Sequence, residues 1–405
     1  MKALTRIAIA ISVIVGLMPV GGAANAAFPG SNGLIAFQSN RDGPVEIYAI
    51  TPGGTADRIT FSNGSSDPAY SPDGSKIAFV GGTNYQIVVM NADGSGVTQV
   101  TSTSPAKQDP TWSADGTRIA FAANSFNVDG QTDLEIWVIN ADGSGGATQL
   151  TNNTFPDTHP AWSPDGNKIA FVATRPGDTD RNIYMMNADG SGQTNITPNV
   201  LTDCSPPTPE TCYQGHDDDP AWSPDGSRIA YVHSQEPNAS GLPAVWTMYP
   251  TGANKGNLSN NPAVSFDNPA WSPQGDMLAA VGTATPTTNR DIWVMNSDGS
   301  GQTAIDTNPA FDINPDWQPV PTVPSPAPTI TAFKPTSGPP GTRVVLRGSG
   351  FTGATEVRFN GVSAPFVVRS DSKIETLVPR RATTGPISVT TPEGTGMSTT
   401  DFTVT

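Results

Sequence analysis

The stretch Asp67–Phe79, DPAYSPDGSKIAF, returns along the chain in recognisable copies. The copies align on one aromatic residue, Tyr70, Trp112, Trp162, Trp222, Trp271 and Trp317, at intervals of 42, 50, 60, 49 and 46 residues. Each aromatic lies two residues after a proline, most are followed by a turn such as SPDG, SADG or SPQG, and a short apolar run, IAF or a relative, comes next. A unit repeated at this period cannot bury its apolar face alone, and the period suits four-stranded blades stacked around an axis.

Within a copy, the aromatic segment reads as strand A and the turn after it leads into strand B at Ile77, Ile119, Ile169, Ile229 and Leu278. Strand C holds the runs that begin at Ile87, Ile136, Ile183, Val245 and Ile292; turns such as Asn91–Ser95 then lead to strand D, seen as VTQVT, ATQLT, QTNIT, GNLS and QTAI. The two ends complement each other. Ile35–Phe37, Ile47–Ala49 and Arg58–Thr60 supply strands B, C and D without an A, whereas Phe311–Trp317 supplies an A strand that stops at Pro319. The expected fold is therefore all-β: a six-bladed β-propeller closed by one C-terminal strand, which leaves no sheet edge open around the ring. All eight tryptophans fall in the repeats and read as blade packing.

Ahead of the repeats, Lys2 and Arg6 flank an apolar run from Ile7 to Val20 that leads to Ala24-Asn25-Ala26. Residues 1–26 read as a signal peptide cut after Ala26, and no later run is long enough to span a membrane. The expected location is outside the cytoplasm: secreted, periplasmic or associated with the cell surface.

Residues 27–318 carry 31 acidic and 11 basic side chains, while residues 329–405 carry 5 and 8. Such an acidic large domain does not suit nucleic acid or anionic lipid, which are bound by neutralising phosphate. Many of its aspartates, Asp73, Asp93 and Asp115 among them, are explained by turn chemistry alone.

The copies DPAYSPDGSKIAF, HPAWSPDGNKIAF and DDPAWSPDGSRIAY resemble the WD40-like repeats of TolB-type propellers over about 290 residues. The resemblance implies an exported six-bladed propeller that binds other proteins. The chain departs from that family in reaching its first blade within about ten residues of the expected cleavage site, without the family's N-terminal α/β domain.

If the strands alternate in direction, the A–B and C–D turns share one face and the B–C and D–A loops the other. The second face holds segments of unequal length, Ala122 to Glu135, Val232 to Ala244 and Pro198 to Asp218, and variable loops on a rigid scaffold usually carry recognition. At the start of the innermost strands on that face, the residues before the prolines are Asp67, Asp109, His159, Asp219, Asn268 and Asn314. A ring of six polar side chains at a channel mouth could hold a divalent cation, a peptide amine or a basic side chain. The resemblance supports partner contacts there, and the plain alternative is that each side chain caps its own turn. Cys204 and Cys212 are expected to form a disulfide in an exported chain. A metal site from His216 and Asp217–Asp219 lacks a second ligand cluster.

No nucleophile elbow, H-E-x-x-H or phosphate loop occurs, and there are only three histidines. A non-enzymatic reading follows, against a rival in which mouth carboxylates do lyase or glycosidase work.

Residues 319–328 hold five prolines, a semi-rigid extended spacer. Residues 329–405, with PTITAFKPTSGPPGTRVVLRGSGF, VRFNG, IETLVP and GPISVTTPEG, resemble an IPT/TIG domain, a small Ig-like β-sandwich with Phe333, Val344, Leu346, Phe351 and Phe359 in its core and Gly338, Gly341, Gly348 and Gly350 in or beside turns. The expected whole is a binding scaffold in the cell envelope, with a protein or peptide partner, carbohydrate as a further class, and the Ig-like module as spacer or second contact.

Overall fold

The structure, a computed structural model, describes residues 27–405 except 63, 83, 127–129, 131, 179, 199–214, 236–241, 286–288, 322–326 and 392–393. Cys204, Cys212 and residues 1–26 lie outside the described residues. Among the described residues there is no helix. The chain divides into two compact units, Met1–Pro321 and Thr322–Thr405.

The first unit contains six four-stranded antiparallel sheets. We number the blades in chain order and letter strands A to D from the channel outward. Blade 1 joins the two ends of the unit: Asp312–Val320 is its strand A and pairs with Ser31–Ser39, placing Ile35 opposite Trp317 and Ser31 opposite Val320. Glu46–Ile50 and Asp57–Arg58 complete it. Blades 2 to 6 begin with strands A at Ser65–Tyr70, Lys107–Trp112, Asp157–Trp162, Gly215–Trp222 and Val264–Trp271. The ring thus closes as the count of strands requires. The closing strand runs to Val320, so the first two residues expected in the spacer belong to the propeller.

The A–B turn explains the SPDG motif. In blade 2 the Ser71 hydroxyl donates to Asp73 at 2.6 Å and accepts from the Lys76 amide at 3.0 Å, and Asp73 accepts from the Ser75 amide at 3.0 Å. Gly74 has φ +65°, and a Cβ there would stand 2.0 Å from the Pro319 carbonyl oxygen of the closing strand. Glycine is needed on both counts.

Strands D are only two residues long, shorter than the expected runs. The reason is a hydroxyl just beyond the strand end that takes an amide of strand C: Ile87 donates to Thr101 Oγ1 at 3.0 Å, Ile136 to Thr151 at 2.9 Å, Ile183 to Thr197 at 2.8 Å and Val245 to Ser259 at 3.0 Å. Blade 3 differs in the other direction. Its strands B and C, Arg118–Phe126 and Thr132–Asn140, pair continuously from Asn140–Arg118 to Thr132–Phe126, so most of Ala122–Glu135 is sheet rather than loop. Gly215–Asp218 and Val232–Gln235, also expected in loops, are likewise strand.

Apolar residues of strands A, B and C fill the space between blades. Ile77, Ile119, Ile169, Ile229 and Leu278 are fully buried, and the five strand-A tryptophans are at most 5% exposed. Two indoles stitch across blades, Trp112 Nε1 to the Ala69 carbonyl at 3.0 Å and Trp222 Nε1 to that of Ala161 at 3.2 Å. Burial of rings this large is a leading source of blade cohesion.

The second unit is a sandwich. One sheet orders Thr329–Lys334, Arg343–Ser349, Lys373–Leu377 and Phe366–Ser370; the other orders Ser337–Gly338, Gly394–Val404, Gly385–Thr391, Glu356–Phe359 and Val362–Ala364. Phe333, Val344, Leu346, Phe351 and Phe359 form its core with Ile374, Ile387 and Phe402. Gly338 and Gly348, expected in or beside turns, lie within strands.

Candidate functional site

Every strand A is interrupted at the same place. Its register with strand B skips between Ser66 and Ala69, Gln108 and Thr111, Thr158 and Ala161, Asp218 and Ala221, and Asp267 and Ala270, and in the closing strand between Ile313 and Asp316. Inside each skip lies one of Asp67, Asp109, His159, Asp219, Asn268 and Asn314, with φ between 47° and 57°. Asp, Asn and His are the non-glycine residues that tolerate this left-handed conformation best. The proline that follows each has no N–H to offer a ladder, and bulges are where sheets accept it. The recurrent polar-proline pair is thus a code for a bulge.

The six side chains do come together, but not as caps of their own turns. They bond from blade to blade. Asn314 Nδ2 donates to Asp67 Oδ1 at 2.5 Å and to Gln38 Oε1 at 3.0 Å, and Asn268 Nδ2 donates to Asp219 Oδ2 at 2.8 Å. The His159 amide reaches Asp109 Oδ2 at 3.4 Å, while its Nε2 lies 3.8 Å from Asp109 and 3.6 Å from Asp219. Five of the six are buried, Asn314 completely and Asp109 to 1% exposure; Asp67 is half-buried. The ring forms a belt beneath the mouth.

Burial dominates its electrostatics. It pushes the Asp67 carboxyl up to about 7, with Asp109 adding to the rise, and the Asp219 carboxyl to about 7 in spite of His159. Asp109 is raised for the same reason. For His159, burial opposes the cation, yet the fields of Asp109, Asp219 and Asp218 raise its pKa. Carboxylates crowded in a dry site keep a proton more readily than free ones.

Above the belt opens a cavity of about 760 Å³, lined by Asp67, Asp109, His159, Asp219 and Asn268 and, higher up, by Arg181 and Arg290. Arg181 pairs with Asp218 at 2.6 Å and Arg290 with Asp267 at 3.3 Å. Among the described residues, four aromatic side chains are exposed on the same face: Phe61, with the Arg58 guanidinium over its ring at 4.7 Å, and Phe311 in D–A loops, Tyr85 in a B–C loop and Phe126 at the end of a strand B, at 74%, 53%, 66% and 81% exposure. Sequence reading missed these four. The available signal was an aromatic residue outside the repeat, in a segment that joins strands.

At the opposite end of the channel, the chain entering blade 1 crosses the inner strands. The Ala27 amide donates to the Trp222 carbonyl of blade 5 at 3.4 Å, and Phe28 is buried in the apolar cluster that contains Ala69, Trp112 and Trp162.

The run His216–Asp219 does not gather into a metal site, because alternate strand residues diverge. Asp217 meets His233 Nδ1 at 2.7 Å, Asp218 meets Arg181, and Asp219 joins the belt. Among the described residues, no group of three or more His, Cys, Asp or Glu side chains is arranged to hold a metal ion. No helix among them is long and apolar enough to cross a membrane.

Fold and site define a class: a six-bladed propeller with a polar belt under one mouth, followed by an immunoglobulin-like sandwich. Residues 108–212 match the family model for the TolB beta propeller domain, and residues 328–404 that for the IPT/TIG domain. The chain therefore carries a TolB-like propeller followed by an IPT/TIG domain. Among solved structures, TolB from Acinetobacter baumannii is 22% identical, with 71% of this chain and 67% of that chain covered and a TM-score of 0.56. A TolB structure from Agrobacterium tumefaciens is 19% identical, with 71% and 92% covered and a TM-score of 0.50. Hydrazine synthase from Kuenenia stuttgartiensis is 15% identical, with 93% and 68% covered and a TM-score of 0.57. At such identities the likeness is one of fold. No curated protein matches the chain.

Proposed function

We propose that this protein is an exported, non-catalytic binding scaffold that recognises a protein or peptide of the cell envelope through the face of B–C and D–A loops. The observation that carries the reading is the set of exposed aromatic rings, Phe61, Tyr85, Phe126 and Phe311, on the face where the cavity opens. Rings left in solvent on one face are characteristic anchors of protein recognition. In this reading the partner's apolar side chains dock on the rings, and a basic side chain or amine extends toward the acidic mouth.

The leader, residues 1–26, directs export and is removed; a disulfide between Cys204 and Cys212 staples the long loop; the IPT/TIG domain, beyond the proline-rich spacer, acts as spacer or second contact. Two linked contacts on one partner would raise effective concentration. Burial of the belt carboxylates, Asp109 at 1% and Asp219 at 5% exposure, weighs against their acting on a substrate directly.

The test is capture of a partner from envelope material by the immobilised protein, compared with the variant carrying Tyr85→Ala and Phe126→Ala. The expected result is a loss of apparent affinity of about tenfold or more. Equal capture by the two proteins, or turnover of a polysaccharide or peptide that is abolished by Asp67→Asn and Asp219→Asn, would overturn the reading.

A further inference from the structure

The IPT/TIG unit separates its charges onto one face. In the sheet containing Arg343–Ser349 and Lys373–Leu377, the side chains of Val344, Leu346 and Ile374 are fully buried, so their sequence neighbours face outward. Register then places Arg347 opposite Lys373, Val345 opposite Glu375, and Lys334 opposite Val345 from the flanking strand. Arg343, Arg369 and Lys373 all pair with Glu375, the last two at 3.0 and 2.9 Å, which holds the cations in an ordered cluster. Five basic side chains, Lys334, Arg343, Arg347, Arg369 and Lys373, thus share the face with a single carboxylate.

The whole unit has eight basic and five acidic residues, so this face holds more than its entire positive excess. Arg343, Arg347 and Arg369 are exposed, as are Val367 and Leu377 between them at 49% and 42%. The face is partly aliphatic and rich in guanidinium, and none of the outward residues named is aromatic. That composition suits an acidic protein surface better than a sugar chain, which would call for stacking rings.

The propeller offers such a surface, and it is not the mouth. The A–B turns place Asp73, Asp115, Asp165 and Asp225 on the turn face, and the C–D turns place Asp93, Asp142, Asp189 and Asp298 beside them, all exposed. Hydrogen bonds from Ser, Thr or Asn side chains and backbone amides hold each carboxyl below its ordinary pKa, so all eight stay ionised at neutral pH. Against them stand Lys76, Arg118, Lys168 and Arg228, at or just before the start of strands B, and Lys255 in a C–D turn; Arg118 and Arg228 lie over the rings of Trp162 and Tyr249.

We propose that the basic sheet face of the IPT/TIG unit docks on the acidic turn face of the propeller of a second copy of this chain. The two surfaces differ, so the contact is heterologous: it propagates head to tail or closes a ring, and it leaves every mouth free for another ligand. It does not depend on what the mouth binds.

The experiment is light scattering of the full chain over a wide concentration range, at low salt and in roughly 1 M salt, where the Debye length falls to about 3 Å. The expected mass rises with concentration at low salt and returns to the monomer at high salt. Arg369→Glu with Lys373→Glu is expected to weaken association by about tenfold or more. Arg380→Glu with Arg381→Glu makes the same change of net charge at exposed positions off the face and is expected to leave association within about twofold. Circular dichroism melts identify any variant that has lost its fold, in which case Arg343→Gln replaces it. A monomer under every condition overturns the proposal, as does equal weakening by the two pairs. A monomer that instead binds polygalacturonate through Arg369 and Lys373 also overturns it, assigning the face to an anionic glycan.

Discussion

Replacing Asp219 by asparagine should stabilise the propeller by an amount that grows as the pH rises from mildly acidic to alkaline. The carboxyl sits at about 7 in the fold against an ordinary 3.8, because burial penalises its charge more than His159 relieves it. Between those values the native state binds a proton that the unfolded chain has released. The contribution to stability is therefore complete below 3.8, falls steadily between 3.8 and 7, and is fully lost once the pH has risen through 7. Integrating from pH 5.5 to 8.5 gives a loss of about 2 kcal/mol for this one group. Asparagine is neutral throughout and matches the protonated acid that it replaces at pH 5.5. It also keeps an oxygen to accept the bond from Asn268 Nδ2, at 2.8 Å in the parent. Urea unfolding of parent and variant at the two pH values measures the difference: the advantage of the variant should be about 2 kcal/mol larger at 8.5 than at 5.5. Equal destabilisation at both would mean that Asp219 is needed as a charge, and would refute the account of the belt as a crowded, partly protonated cluster.

Two further outcomes test the scaffold. A chain ending before Asn308 lacks the strand that pairs with Ser31–Ser39, and it should lose cooperative unfolding or melt well below a chain ending at Pro321; identical melting curves would refute closure. Gly74→Ala forces a left-handed residue and a Cβ 2.0 Å from the Pro319 oxygen, so it should cost at least about 1 kcal/mol in urea unfolding, whereas Gly256→Ala, with no positive φ and nothing within 4 Å of the added atom, should cost less.

What could be read from the residues in advance was whatever one blade specifies locally. The serine, aspartate and glycine of SPDG dictate a turn through bonds within five residues, and the count of A strands against B, C and D strands dictates closure. The polar-proline pairs were visible too, but their meaning was not. An Asp or Asn before a proline is compatible with a cap as well as with a bulge, and only the approach of neighbouring blades turns the side chain of Asn314 toward Asp67. Strand ends were misjudged for a similar reason: the hydroxyl of Thr101 or Thr151 ends strand D by taking an amide of strand C, a competition between side chain and ladder that apolar patterning does not register.

The same contrast separates scaffold from recognition in the site itself. A feature present in every blade, such as the left-handed bulge, builds the ring and by its repetition distinguishes no partner. Discrimination has to come from departures: one histidine among five acids and amides in the belt, arginines at Arg181 and Arg290, and aromatic rings on some connecting segments only. His159 is the sharpest of these, since it places an imidazole, whose pKa the neighbouring carboxylates raise, between Asp109 and Asp219 and leaves the arc through Asn314, Asp67 and Asp109 without a basic group. The mouth is thereby polarised across its width. A ligand with a single positive group would meet unequal sides and could settle in one orientation, which the near-symmetry of six similar blades would otherwise deny it.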